Sequence, residues 1–400
     1  MRRDPGTLEG ALAQLEAAQL RRTRLTLAPL GHDGRRIVVP GAGELTDFAS
    51  NDYLGLARHP ALARALAECA AAGGTGSGAA HLVSGHGPEH AALEEELAAF
   101  TARERALLFS TGYMANVAVL ATFAGRGEQV LLDRLSHASL IDGARLSGAT
   151  LRRYPHADAA AAARLAGGYP RHTSLLATDG VFSMDGDLAP LPELAQAARA
   201  ARAWLAVDDA HGLGVVGTSG GGTLEHFGLD AEAVPVLIGT LGKAFGCFGA
   251  FVAGSRALIE YLMQKARTYI YTTALPQPVA AATRAALRLA QTEGWRRARV
   301  LELTARFRRA AAAGGVALVP SATPIQPVLC GSAGQALAAQ QALAQRGFWV
   351  AAIRPPTVPA GSARLRVTLS AAHTEREVEA LAEALAEALA VLIRAGGAAG

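Results

Sequence analysis

Between about residues 60 and 290 the chain alternates short apolar runs with Ala-rich stretches of helical period. The runs are Ala106–Phe109, Gln129–Asp133, Thr150–Tyr154, Ser174–Thr178, Trp204–Val207, Val236–Gly239 and Gly249–Ala253. Most are four or five residues long, without polar alternation. A strand with one wet face alternates apolar and polar residues, so unbroken runs predict strands buried on both faces. Their alternation with helices predicts a mainly parallel sheet sandwiched by helices.

Either side of this region the pattern changes. Leu8, Leu12, Leu15 and Leu20 predict an amphipathic helix over 8–24, followed by a Gly-containing polar stretch and a short strand at Leu45–Phe48. Beyond 290, an Arg-rich helix over 293–313 leads to apolar runs at Val316–Val319, Ile325–Cys330, Phe348–Ile353 and Leu365–Leu369, with helices near 333–346 and 374–394. The expected organisation is an N-terminal helix and arm (1–58), a large α/β domain (59–290) and a small C-terminal α+β domain (291–400).

Composition adds little except in one respect. Of 38 Lys plus Arg residues only two, Lys243 and Lys265, are lysines. Arginine stays protonated and is a poor amine nucleophile, so chemistry needing a primary amine has two candidates. The net charge of +4 over 400 residues, with no basic block interleaved with aromatics, points away from nucleic acid. Cys69, Cys247 and Cys330 form no CxxC pair, which favours a reducing compartment. Asp4, Pro5 and Glu9 break any early apolar segment, and no run is long enough to span a membrane, so the expectation is a soluble cytoplasmic protein.

Several motif resemblances fail. Gly242-Lys243 is followed by Ala244 rather than Ser or Thr, and Leu237 stands where a P-loop needs glycine. The glycines at 73, 74, 76 and 78 do not follow an apolar strand. His86 and His90 are spaced i, i+4, but Glu89 is misplaced for HExxH and Pro88 disturbs a helix, so a loop before a helix near Glu89 is expected, with no metal.

What survives lies at strand ends. Trp204–Val207 runs into Asp208-Asp209-Ala210-His211, and catalytic groups in open α/β sheets gather there, although Asp is also an ordinary turn starter. The next strand ends in Gly239-Thr240-Leu241-Gly242-Lys243-Ala244-Phe245-Gly246. Apolar neighbours favour a neutral, nucleophilic amine at Lys243; the alternative is a lysine that reaches past them to solvent. Lys265, beside Arg267 on a helix, is expected to face solvent. Ala106–Phe109 ends in Ser110-Thr111-Gly112-Tyr113, an anion site at a helix start or simply a capped helix. A lysine for a Schiff base, an aspartate for a pyridinium nitrogen and a phosphate site at a helix start are the requirements of pyridoxal 5'-phosphate.

The strings DFASNDYLGL, DRLSHASL, DGVFSMDGDLAPL, VDDAHGLG, GTLGKAFG and IRPPTVPAGSARLRVTL resemble the α-oxoamine synthases, over about residues 10 to 390. The resemblance implies a fold-type-I pyridoxal phosphate transferase, a homodimer with interfacial sites. IRPPTVPAG and DRLSHASL favour the member that condenses L-alanine with a pimeloyl thioester, on coenzyme A or a carrier protein, in biotin biosynthesis; a sister using glycine and another acyl-CoA is the alternative. By motif position Lys243 would carry the cofactor and Asp208 pair with its ring nitrogen. His211 and Ser183 would reach its phenolic oxygen, and His137 would stack on the ring. Gly112, Tyr113 and Thr240 would hold the phosphate, with Thr272 or Thr273 from the other subunit. Arg21 and Thr357 would contact the acyl substrate, Arg366 or Arg354 the amino-acid carboxylate, and Asn51 is a further contact. A non-catalytic module of this fold would not need Lys243, Asp208, His211 and His137 together.

Overall fold

The computed structural model describes residues 7–31, 33–168 and 172–397. The chain divides into two compact units. One comprises Asn51–Ser183 and Asp187–Ala298; the other takes its described residues from Met1–Ser50, Met184–Gly186 and Arg299–Gly400.

In chain order the strands are β1 (Ala28–Leu30), β2 (Arg36–Val39), β3 (Gly43–Asp47), β4 (Arg105–Phe109), β5 (Gln129–Asp133), β6 (Thr150–Tyr154), β7 (Thr173–Asp179), β8 (Trp204–Asp208), β9 (Val236–Thr240), β10 (Ala250–Gly254), β11 (Ile325–Gly331), β12 (Phe348–Trp349), β13 (Ala351–Ile353) and β14 (Ala363–Thr368).

The larger unit is built on a seven-stranded sheet of order β4-β10-β9-β8-β7-β5-β6. β10 is the one reversed strand, antiparallel to β4 and β9, and the other ladders of this sheet are parallel. All seven runs are strands; burial explains why the others carry no polar alternation, while Thr150–Tyr154, with Arg152 and an exposed Arg153, is the edge strand β6. Val130 and Leu132 pack into one apolar cluster with Leu120, Leu140 and Ile259, while Leu131 between them packs into another with Leu176, Leu194 and Leu205. Successive side chains point to opposite faces, and helices cover both. Parallel order brings the carboxyl ends of β5, β7 and β8 to one edge, so Asp133, Asp179 and Asp208 each close a strand there. Asp179 and Asp208 are direct partners across the β7–β8 ladder.

The smaller unit has a four-stranded sheet, β1-β2-β3-β12, and a three-stranded antiparallel one, β11-β14-β13. The run Phe348–Ile353, expected as one strand, is divided: β12 pairs in parallel with β3, and β13 pairs with β14. Val350, fully buried, is the residue at which the chain changes sheets. Val316–Val319 forms no strand; Val316 is buried in irregular backbone. The N-terminal helix covers only Leu8–Ala17. It buries no residue, and Gln19 at φ 55° takes the backbone out of the helical region, so burial cannot extend it to 24. Among the described residues no helix is long and apolar enough to cross a membrane.

Candidate active site

Lys243 sits in the turn after β9, above buried Ala244 and Phe245. The turn closes on itself: the Leu241 amide donates to Gly249 O at 2.9 Å, and the Gly246 amide to Lys243 O at 2.9 Å. Gly246 has φ +65°, and a Cβ there would lie 2.4 Å from the Ala57 amide nitrogen. Only glycine lets this turn press against the 52–57 turn. Asp52 shapes that second turn by accepting from the Leu56 and Ala57 amides at 2.8 and 3.0 Å.

These two turns and the loop after β8 bring together one hydrogen-bonded chain. Lys243 Nζ lies 2.8 Å from His211 Nε2, His211 Nδ1 lies 2.6 Å from the Tyr53 hydroxyl, and that hydroxyl donates to Asn51 Oδ1 at 3.3 Å. Tyr53 has one proton and gives it to Asn51. His211 Nδ1–H therefore donates to the Tyr53 oxygen, and its Nε2 lone pair accepts from the lysine. His211 is held by the fully buried Asp209, whose backbone carbonyl accepts the Gly212 and Leu213 amides while its carboxylate accepts the Thr223 amide at 2.7 Å.

A second network starts at Asp208. Its Oδ2 accepts from Asn116 Nδ2 at 2.6 Å, and its Oδ1 from the Ala210 amide at 3.1 Å. Asn116 also donates to Ser139 Oγ at 2.8 Å, and Ser139 Oγ lies 2.7 Å from His137 Nδ1. The His137 amide donates to Asp179 at 3.0 Å. Burial, and then the Asp208 charge beside it, push the Asp179 carboxyl well above its usual range. The His137 ring remains accessible, but the protein packed around it lowers its pKa, Asp208 opposes this and Lys243 adds to it. Both charges reach His137 and Asp179, so the two networks meet.

A third group braces the same loops. His156 Nδ1 lies 3.1 Å from Asp133 Oδ1, and its Nε2 lies 2.8 Å from Asp187 Oδ2. Asp133 also accepts the Leu135 and Ala157 amides at 2.7 and 2.8 Å. The two carboxylates outweigh burial and raise His156 to about 10, so it is an imidazolium between two anions. Asp133 begins the loop that carries His137; Asp187 lies in the loop that follows Ser183.

At the end of β4, Thr111 caps the helix Gly112–Phe123, its hydroxyl accepting the Met114 amide at 3.2 Å. A Cβ added at Gly112 would meet nothing within 4 Å, so the helix start faces open space. Tyr113 is exposed and donates to Asp142. Thr240 accepts the Gly242 amide at 3.3 Å and donates to Gly249 O. Thr272 and Thr273 follow the short helix Arg267–Ile270, half-buried and exposed respectively. Lys265 is exposed in the last turn of its helix, as expected.

The remaining residues lie in the smaller unit. Arg21 is exposed and pairs with Glu16 at 3.1 Å. Arg22, not Arg21, reaches the Thr357 hydroxyl, at 3.2 Å. Arg354 donates to the carbonyls of Gln19 and Arg21, so it ties down the N-terminal arm. A cavity of about 510 Å³ is lined here by Arg21, Arg22, Leu25, Ile353, Arg354 and Thr357. Arg366 is buried in β14 and donates to Thr368 Oγ1 at 3.0 Å; two residues before it, Arg364 is paired with Asp185.

Sequence reasoning missed Tyr53, Asn116, Ser139, Asp179 and His156. Tyr53, Ser139 and Asp179 stand inside the strings that carried the resemblance, so the signal was present. Asn116 and His156 show their roles only through partners 92 and 23 residues distant.

The sequence matches the model of the family described as aminotransferase class I and II over residues 43–385. It is 58% identical over 372 residues to an 8-amino-7-oxononanoate synthase of Methylococcus capsulatus, covering 93% of this chain and 95% of that one. It is 61% identical over 350 residues to the enzyme of that name from Alkalilimnicola ehrlichii, with 87% of each covered. Among solved structures it resembles Sphingomonas wittichii serine palmitoyltransferase, with a TM-score of 0.89 at 29% identity over 96% of each chain. It also resembles 8-amino-7-oxononanoate synthase from Francisella tularensis, with a TM-score of 0.76 at 32% identity, covering 87% of this chain and 99% of that one. The chain therefore belongs to the class I and II aminotransferase family, and within it to the family defined by its 8-amino-7-oxononanoate synthase relatives.

Proposed function

We propose that this chain uses pyridoxal 5'-phosphate to condense L-alanine with a pimeloyl thioester, releasing 8-amino-7-oxononanoate, CO2 and the free thiol. The observation that carries the proposal is the Lys243 amine held 2.8 Å from His211 while their charged neighbour Asp208 is bound by Asn116. That arrangement fits the cofactor: an amine for its aldehyde, a buried carboxylate for its ring nitrogen, and an open helix start at Gly112 for its phosphate. Lys243 would hold it covalently, Asp208 would pair with the ring nitrogen and the accessible His137 would stack on the ring. His211 and Ser183 would face the phenolic oxygen, and Gly112, Tyr113 and Thr240 the phosphate.

When bound, pyridoxal 5'-phosphate would supply an electron sink for the pair left at the alanine Cα. Lys243 Nζ would take the alanine Cα proton. His211, hydrogen-bonded to Lys243 Nζ and braced by the Tyr53 hydroxyl, would orient the amine. Arg366, pre-set by Thr368, holds the alanine carboxylate, aligning the Cα–H bond for cleavage. Lys243 Nζ would hold the abstracted proton while the acyl group joins Cα, the thiol departs and CO2 is lost, and would then return it to the product carbon. Arg21, Arg22 and Thr357, with the apolar wall of Leu25 and Ile353, would take the acyl chain and its far carboxylate. Asn51 acts through Tyr53 on this reading.

The working form would be a homodimer in a reducing cytoplasm, with Thr272 or Thr273 of a second copy completing the phosphate site. Tyr113, Phe248 and Tyr271 are 47, 51 and 71% exposed in the single chain, which supports a partner covering them. The test is product mass analysis after mixing the chain with L-alanine and pimeloyl-CoA or pimeloyl carrier protein, alongside glycine, serine and other acyl-CoAs. Turnover confined to another amino acid or thioester would overturn the proposal.

A further inference from the structure

We infer that His81, His86 and His90 form a binding site for a divalent transition-metal ion of the zinc class, held by three imidazole nitrogens with a fourth position open to water. It rests on none of the residues assigned to the condensation. Sequence alone pairs only His86 with His90, and treats Pro88 as an obstacle. In the fold Pro88 occupies the first position of the helix Pro88–Phe100, where its missing N–H costs nothing. Immediately before it, His81–Gly85 forms one π-helical turn. That turn brings a third histidine back onto the other two.

The nitrogens converge. His81 Nδ1 and His86 Nδ1 are 3.0 Å apart, and one ligand atom from each of the three residues lies within 4.8 Å of the others. Two nitrogens bound tetrahedrally at ordinary zinc distances lie about 3.4 Å apart, so small ring movements close the set on an ion. His90 Nε2–H donates to the Leu275 carbonyl, leaving its lone pair on Nδ1. This backbone bond to the far nitrogen is the support that metal-ligating histidines ordinarily have. His81 is stacked on Tyr269 with centroids 5.0 Å apart and planes 8° from parallel. A Cβ at Gly85 would fall 2.0 Å from Ala79 O, and one at Gly87 2.3 Å from the Gln277 side chain. Close packing on both sides therefore sets the position of His86.

Two present hydrogen bonds would be exchanged: the proton between the Nδ1 atoms of His81 and His86 moves to Nε2 of its own ring, and the Gly87 amide, which now donates to His90 Nδ1 at 3.0 Å, turns to water. The donor set contains no carboxylate, so it selects against Mg²⁺ and Ca²⁺. His86 is exposed and gives the ion its entry, while His81 and His90 are buried.

The test uses the full, cofactor-loaded chain, stripped with a chelator and titrated with ZnCl₂ by calorimetry and with CoCl₂ by visible absorption. The expected result is one saturable ion per chain, cobalt bands of a nitrogen-rich site and a higher thermal midpoint with zinc. His86→Ala, at an exposed position, should fold normally, weaken binding at least about tenfold and abolish the zinc-dependent shift. His86→Asn provides a second folded variant with the same expectation. Absence of saturable binding at millimolar zinc, or unchanged affinity in either variant, overturns the inference. Condensation by the metal-free parent is assayed separately, so failure of one reading does not touch the other.

Discussion

Replacing His156 with leucine removes the imidazolium between Asp133 and Asp187 and leaves two carboxylates facing each other. Asp133 is only 1% exposed, whereas the His156 and Asp187 side chains are 24% and 30% exposed. Breaking a buried charge pair by removing one partner costs about 3–5 kcal/mol. Partial exposure screens this pair, which brings the expected loss down to about 2–3 kcal/mol. The sign of the pH dependence follows from the raised pKa. His156 titrates near 6.5 when unfolded and at about 10 in the folded chain. Its contribution is complete below about 6.5 and is lost as pH rises through 10. The parent should therefore lose stability between pH 7 and 10, and His156→Leu should lack this component of the slope. Urea unfolding at pH 6, 8 and 10 measures both. Equal midpoints at pH 6, or an equal pH slope in parent and variant, would refute the clamp.

Lys243→Ala should abolish turnover while keeping the parent's thermal midpoint, and borohydride reduction followed by peptide mapping should find no pyridoxal at that position. Asn116→Leu takes the donor from the Asp208 carboxylate, a bond to a charged group worth about 1.5–3 kcal/mol, so cofactor titration should show about 10- to 100-fold weaker binding. Tyr53→Phe deprives His211 Nδ1 of its oxygen partner; kcat should fall about five- to tenfold with KM little changed. Arg22→Ala should raise KM for the acyl thioester with kcat held, and steady-state kinetics in both substrates would expose the opposite pattern.

Lys243 stands out in the sequence because it is one of two lysines and follows a buried strand into glycine and apolar neighbours. Asp208 and His211 are legible there for a related reason: a parallel strand delivers whatever follows it to the ligand-binding edge. The apolar runs of the inner strands likewise announce the sheet, since a strand covered on both faces has no polar positions to spare, whereas the edge strand Thr150–Tyr154 keeps Arg152 and Arg153. Phe348–Ile353 shows the limit of that logic. One continuous apolar run serves two sheets because both sides of the switch at Val350 are equally suited to burial, and apolar character carries no information about which neighbour supplies the hydrogen bonds.

Local pattern thus determined which segments are buried and which reactive groups stand at their ends, because burial and strand period act over a few residues. Partnership was decided by tertiary structure alone. Asn116 finds Asp208, His156 joins Asp133 to Asp187, and His81 reaches His86 and His90 only after helices, strands and a π-turn have been placed. A hydrogen bond depends on the distance and direction between two side chains, and the path of the chain between them is what sets both.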